Sequence, residues 1–133
     1  MGNIGMYYAA YRLSAMGWNV MPTARNARGI DLLAYSSLGD RYFGIQVKAL
    51  TNPNPVPLGK SIDTFIGDWW IIVTKAGSPS PECFIMLPSE VQSLAHRGEK
   101  DGRISYWLQP NKYRDEKYRE AWARIGNGND GQA

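Results

Sequence analysis

Two apolar segments in the first half of the chain alternate with polar positions as neighbouring β-strands do. They cover residues 29–35 and 41–48, and a polar break containing a Gly-Asp pair separates them. Turn residues of this kind join antiparallel strands, so the two segments are predicted to form a β-hairpin. Because side chains alternate along a strand, Gln46 and Lys48 are predicted to share one face of the second segment.

The remaining pattern predicts helices at both ends of the chain and further strands between them. Apolar residues recur with helical spacing over 3–16, where a tyrosine stripe is predicted to face the core, and again over 115–125. A helix with Ser89 as its N-cap and Gln92 closing a capping box is also predicted. Short apolar runs predict strands at 18–21, at 69–74 (buried and central), at 83–87 and at 103–108 (an edge strand). These elements predict one domain over residues 1–126 and a disordered tail over 127–133.

Asp31 is an isolated acid at the start of the first hairpin strand. It is the only acidic residue before Asp40, and Ile and Leu flank it. A charge in such surroundings is tolerated at a pocket or at a strand end. Gln46 and Lys48 lie on the face of the paired strand to which Asp31 can point. Oxygen ligands suit Mg²⁺ and a lysine supplies a point charge for a phosphate, so the three residues are a candidate metal and phosphate site.

Asp31 followed by Gln46-Val47-Lys48 resembles the signature of the PD-(D/E)xK phosphodiesterase superfamily, which includes many restriction enzymes and Holliday-junction resolvases. The order of elements over roughly residues 2–125 is also similar to that of its small members. The resemblance implies an α/β domain of restriction-endonuclease-like type, with a mixed central β-sheet flanked by helices.

The resemblance also implies roles for individual residues. Asp31, Gln46 and the main-chain carbonyl of Val47 would bind Mg²⁺ or Mn²⁺. Lys48 would orient or activate the attacking water and stabilise the charge of the phosphorane. The implied reaction is metal-assisted hydrolysis of DNA phosphodiester bonds.

Two positions depart from the superfamily pattern. Gln46 stands where an acid is usual, and Met6 occupies the place of a glutamate that many relatives carry in the first helix. A neutral amide binds a hard cation less strongly than a carboxylate does, so a lower affinity for Mg²⁺ is expected. A non-cleaving nucleic-acid-binding member of the fold therefore stays open as an alternative, and so does a protein-interaction domain of inhibitor or immunity type.

Charge favours an anionic partner without requiring one. The net charge is +3 and the sequence pI is about 9.1. Arg25, Asn26 and Arg28 directly precede Asp31, and Lys60 ends a proline-rich segment after Lys48. All four are candidate contacts to DNA phosphates, although a solvated turn and a plain crossing loop explain them equally simply.

The rest of the composition narrows the classes of function. Cys83 is the single cysteine, which excludes an intramolecular disulfide, and no apolar run is long enough for a membrane span. A soluble cytoplasmic protein is expected. His96, the single histidine, is predicted to be exposed or at a helix end rather than a general base. A homodimer is plausible, because small nucleases of this type often pair to cut both strands.

Overall fold

The computed structural model describes residues 2–23 and 29–129. Its helices are α1 (Gly2–Ala15), α2 (Pro88–Leu94) and α3 (Pro110–Tyr113), with a 3₁₀ turn at Trp122–Arg124. Its strands are β1 (Asn19–Pro22), β2 (Leu32–Tyr35), β3 (Tyr42–Ala49), β4 (Val56–Gly59), β5 (Trp69–Thr74), β6 (Glu82–Met86), β7 (His96–Lys100) and β8 (Arg103–Leu108). Within these residues, no helix is both long and apolar enough to cross a lipid bilayer.

A five-stranded mixed sheet forms the centre of the molecule, in the order β1-β2-β3-β5-β6. β1, β2 and β3 are antiparallel neighbours, β3 and β5 are parallel, and β6 returns antiparallel to β5. The predicted hairpin is thus the β2–β3 pair, and the predicted buried strand is β5. The expectation of a mixed central sheet with helices is confirmed.

Helix α1 packs on one face of this sheet, but not through its tyrosines. Its buried residues are Gly5, Ala9 and Leu13, whereas Tyr7 and Tyr11 are 61% and 66% exposed. The prediction of a core-facing tyrosine stripe is therefore wrong for Tyr7 and Tyr11, whereas the half-buried Tyr8 packs against the core. Small side chains on the inner face let the helix approach the sheet closely, and a Cβ at Gly5 would overlap the Cβ of Ala49.

A second sheet of three strands, in the order β4-β8-β7, lies on the other side of the central sheet. The sequence did not predict it. Part of the proline-rich segment forms β4, and β8 is a central strand, not the edge strand that was predicted. Val56, Leu58 and Leu108 of this sheet pack with Trp70 and Ile72 of β5 in a second hydrophobic cluster. The central sheet is therefore buried between two cores.

Helix α2 begins at Pro88, one residue before Ser89, which was predicted to be its N-cap. Its N-cap is Leu87 and Pro88 stands in the first turn, so the prediction of Ser89 as N-cap is wrong. The reason is that Glu90 completes the cap: its carboxylate accepts the Leu87 N–H at 2.7 Å. Burial raises the pKa of Glu90, but hydrogen bonds from Arg124 and Leu87 outweigh it, and the pKa lies below its ordinary value.

The predicted helix over 115–125 is absent. Residues 118–120 run along the free edge of β6 instead, where the Ile85 N–H donates to the Tyr118 carbonyl at 2.9 Å and the Glu120 N–H donates to the Cys83 carbonyl at 2.8 Å. The Glu120 carboxylate also accepts the Cys83 N–H at 2.6 Å. Main-chain groups of an edge strand need partners, and satisfying them overrides the helical pattern of this segment.

The described part of the chain extends three residues beyond the predicted domain boundary at residue 126. Gly128 is buried; its N–H donates to the Met16 carbonyl and its carbonyl accepts the Ser37 N–H, both at 2.9 Å. Residues 127–129 thus belong to the domain. The remainder of the predicted tail, 130–133, lies outside the described residues.

Candidate active site

Asp31 lies just before β2, at the point where the pairing of β2 with β3 begins. Its main-chain N–H donates to the Ile45 carbonyl at 2.8 Å, and its carbonyl accepts the Thr23 N–H at 2.9 Å. The residue is therefore anchored to the chain on both sides of it. Its side chain is held at a strand end, the position expected for a charge between apolar neighbours.

The Asp31 carboxylate is bound by β3. Its Oδ2 atom accepts a hydrogen bond from Gln46 Nε2 at 2.9 Å and another from the Val47 main-chain N–H at 2.7 Å. Two donors on one oxygen fix the side chain, and within the described residues Asp31 forms no ion pair. The structure thus brings Asp31, Gln46 and Val47 together.

The main-chain groups of Val47 are available to the Asp31 side chain because the pairing of β2 with β3 ends at Leu32, which lies opposite Ile45. In a strand, the N–H and C=O of one residue point to the same neighbouring strand. The Val47 carbonyl therefore points to the same edge as its N–H, which donates to Asp31. A carboxylate, an amide and a main-chain carbonyl meet at this edge.

Lys48 lies on the same face of β3 as Gln46. It is half-buried, and its Nζ atom is 5.6 Å from the centre of the Trp70 ring, a cation–π contact that restricts the side chain. Within the described part of the chain, Lys48 forms no ion pair. Lys48 thus places, on the Gln46 face of β3, an ammonium that has no ion-pair partner among the described residues.

A cleft of about 360 Å³ borders the site, and the sequence did not indicate it. Its walls come from Gly29, from Leu58 of β4 and from the segment 61–66. Gly29 has a φ of 76°, and a Cβ there would approach Ile66 Cγ1 to 2.5 Å. Glycine at position 29 therefore allows the segment 61–66 to pack closely against the residues that precede β2. Phe65 of the segment packs against Trp70 with ring centres 4.7 Å apart and ring planes tilted by 46°.

Two solved nuclease structures are similar to this chain over most of its length. The bacterial homing endonuclease I-Ssp6803I matches at a TM-score of 0.57 and 18% identity, over 93% of this chain and 89% of that one. The Holliday junction resolvase Hjc of Archaeoglobus fulgidus matches at a TM-score of 0.54 and 15% identity, over 85% and 87%. This chain has the restriction-endonuclease-like fold. No family model matches the sequence, and no curated protein does.

Other residues predicted for a restriction-endonuclease-like site lie elsewhere or outside the described chain. Lys60 is exposed beside Gly102 and Arg103, at the far end of β4 from Val56. Arg25, Asn26 and Arg28 lie outside the described residues, so their predicted phosphate contacts stay predictions. Met6 is half-buried and packs against the hydrophobic core between α1 and the central sheet.

The oxygen donors at the Asp31 edge fit a hard divalent cation, although together they carry little negative charge. Asp31 supplies a carboxylate, Gln46 an amide oxygen and Val47 a carbonyl, and Mg²⁺ and Mn²⁺ prefer oxygen ligands of this kind. In the described ranges no three His, Cys, Asp or Glu side chains are grouped as metal ligands usually are. A cation held by Asp31, Gln46 and Val47 would depend on the one carboxylate of that set, Asp31.

Nucleophilic hydrolysis through the cysteine and the histidine is not supported. Burial raises the pKa of the Cys83 thiol to about 12, with a further contribution from Glu120, so the thiolate is not available near neutral pH. His96 is exposed at the start of β7, in the other sheet. The Asp31 edge is the better candidate for chemistry.

Proposed function

We propose that this protein is a metal-dependent endonuclease that hydrolyses phosphodiester bonds of DNA. The observation that carries the proposal is the Asp31 carboxylate, fixed by Gln46 and Val47 at an open strand edge with Lys48 on the same face. The two similar structures, a homing endonuclease and a Holliday junction resolvase, support the same assignment.

Asp31, Gln46 and the Val47 carbonyl would hold Mg²⁺ or Mn²⁺. A bound divalent cation would polarise the phosphate and lower the pKa of a water molecule that attacks it. In the structure, the Nε2 amide group of Gln46 donates a hydrogen bond to the Asp31 carboxylate. A half-turn about its last side-chain bond exchanges the amide nitrogen for the oxygen, which is the atom a cation requires. Gln46 can thus stabilise the carboxylate through its N–H or supply a ligand through its oxygen.

Lys48 would act on the phosphate and the water. Its ammonium group is restrained over Trp70 and has no carboxylate partner in the described chain, so its charge is available to a phosphate oxygen. A fixed cation next to the reacting phosphorus stabilises the additional negative charge of the transition state. The half-buried position strengthens this interaction relative to one in bulk water.

A non-cleaving DNA-binding role is the second candidate, and one observation favours it. Of Asp31, Gln46 and Val47, only Asp31 carries a negative charge, and its carboxylate already accepts a hydrogen bond from the Gln46 amide. A site in that state binds a dehydrated cation less readily than one with two acids does.

DNA cleavage assays separate the two candidates. Supercoiled, linear and branched DNA are incubated with the protein in Mg²⁺, in Mn²⁺ or in a chelator. We expect cleavage that requires the metal and falls by roughly 10²-fold or more in Lys48→Ala, because the fixed charge beside the phosphate is lost. Lys112→Ala, which changes an exposed lysine of α3, is the control and should cleave normally.

Binding without cleavage under every metal condition would favour the second candidate. Cleavage in chelator, or cleavage that Lys48→Ala leaves unchanged, would contradict the proposed site.

A further inference from the structure

Three cations lie close together at the tip of the β7–β8 hairpin. Lys100 and Arg103 are directly opposite each other in the register, on either side of the Asp101-Gly102 turn. Lys60, just after β4, lines a surface hollow with Gly102 and Arg103. All three side chains belong to exposed residues. We call Lys60, Lys100 and Arg103 the hairpin-tip cations.

Among the described residues the hairpin-tip cations have no carboxylate partners, in contrast to five arginines that form ion pairs. Lys75, Arg114 and Arg119 surround Glu82, Arg124 pairs with Glu90, and Arg12 pairs with Glu120. Asp101 lines the same surface hollow as Lys100 and Arg103, and the conformation of the hairpin turn accounts for an aspartate at this position. Its φ of 53° and that of 76° at Gly102 are the conformation that a two-residue Asp-Gly hairpin loop requires.

The arrangement of Lys100 and Arg103 is unfavourable for the protein alone. Like charges directly opposite each other on antiparallel strands destabilise the pair. A polyanion bound at the tip would remove this repulsion. Lys60, Lys100 and Arg103 outnumber the one carboxylate of the turn, Asp101, so the tip keeps a positive charge that favours a phosphate-rich partner.

The hairpin tip is continuous with the cleft beside Asp31. Leu58 lines that cleft together with Gly29, and Lys60 follows two residues later, which is at most about 7 Å along the chain. β4 thus leads from the cleft wall to the hairpin-tip cations. A DNA backbone that enters the cleft would pass near them.

We propose that the hairpin-tip cations bind the phosphates of duplex DNA outside the hydrolytic site. This inference rests on the proposed function, because it takes DNA as the partner. Duplex is favoured over single-stranded DNA because single strands are held mainly by aromatic stacking, and the tip at 100–103 has no aromatic residue. An antiparallel pair of strands also has the width that the major groove of a duplex admits.

The test is duplex binding without divalent metal, so that cleavage plays no part. Fluorescence anisotropy of a labelled 30-base-pair duplex is measured over a range of salt concentrations. The double variant Lys100→Ser/Arg103→Ser is compared with Lys112→Ser/Lys117→Ser, which removes the same charge from another exposed surface.

We expect the hairpin variant to bind roughly 10- to 100-fold more weakly near 0.1 M salt, with a log–log salt slope shallower by about 2, since each phosphate contact contributes about 0.9. The control variant should keep the wild-type slope. Urea unfolding should show the hairpin variant at least as stable as wild type, because a like-charge pair has been removed.

Wild-type affinity and slope in the hairpin variant, or an equal loss in both double variants, would overturn the inference. A tighter complex with the single-stranded 30-mer, lost in the hairpin variant, would overturn the duplex assignment. Failure of the endonuclease proposal is distinguishable, because it appears as absent cleavage while the hairpin variant still loses duplex binding.

Discussion

At the scale of single residues, the site depends on how one carboxylate is held. Asp31 could be singled out from the sequence because it is an isolated acid in an apolar strand, and alternation placed Gln46 and Lys48 on one face of the paired strand. The hydrogen bond from Gln46 to Asp31 and the position of Trp70 beneath Lys48 could not be predicted. Both depend on side-chain orientation and on a parallel neighbour, β5, that is distant in sequence.

Gln46→Glu tests the pairing at this scale. Without metal, the variant loses the Nε2 donor and places two carboxylates together, so its free energy of unfolding should fall by roughly 1–3 kcal/mol at pH 7. With Mg²⁺ or Mn²⁺ in large excess, a second acidic ligand should restore about 2–3 kcal/mol by mass action. Chemical denaturation with and without the cation measures both effects.

Gln92→Glu is the matched control, because Gln92 Nε2 also donates a hydrogen bond, to the Ile62 carbonyl at 2.7 Å. That variant should lose stability without regaining it from the cation. An equal response of the two variants to metal would argue against a metal site at Asp31.

At the scale of secondary-structure elements, alternation and run length predicted strands of the central sheet, whereas pairings between distant segments could not be predicted. The β2–β3 hairpin and the apolar strands β5 and β6 follow from alternation and from run length. The second sheet escaped prediction because β4 pairs with β8, about fifty residues later, and a proline-rich segment does not suggest a strand. The helical pattern near the C-terminus gave way to pairing along the edge of β6, and the inner face of α1 is built from Gly5, Ala9 and Leu13.

Gly5→Ala tests the close approach of α1 to the sheet. Alanine favours a helix over glycine by up to about 1 kcal/mol, so helix propensity alone predicts a gain in stability. The overlap with Ala49 predicts instead a net loss of roughly 1–3 kcal/mol. Urea denaturation should show the loss for Gly5→Ala and none for Gly2→Ala, where nothing lies within 4 Å of the added Cβ. A gain at position 5 would contradict the packing described.

At the scale of the whole molecule, the two layers on the central sheet define the side from which a substrate can reach the proposed site. Helix α1 covers one face of the central sheet, and the second sheet covers part of the other, where Lys48 contacts Trp70. The site lies at the junction of β2 and β3, beside the cleft that β4 and residues 61–66 form with Gly29. The two similar nuclease structures have 15–18% sequence identity with this chain. At this identity they establish the fold, and the chemistry has to be argued from the residues of the site.

Asp31→Asn gives the most direct test of the proposed chemistry. The asparagine carboxamide keeps one oxygen that can accept the hydrogen bonds of Gln46 and Val47, so the melting temperature should stay close to that of wild type. Its lost charge removes the one carboxylate ligand proposed for the cation. The measurement is the single-turnover rate of plasmid cleavage in Mg²⁺ and in Mn²⁺. The account predicts a rate at least roughly 10²-fold below wild type in both metals; a folded Asp31→Asn protein that cleaves at the wild-type rate would contradict it.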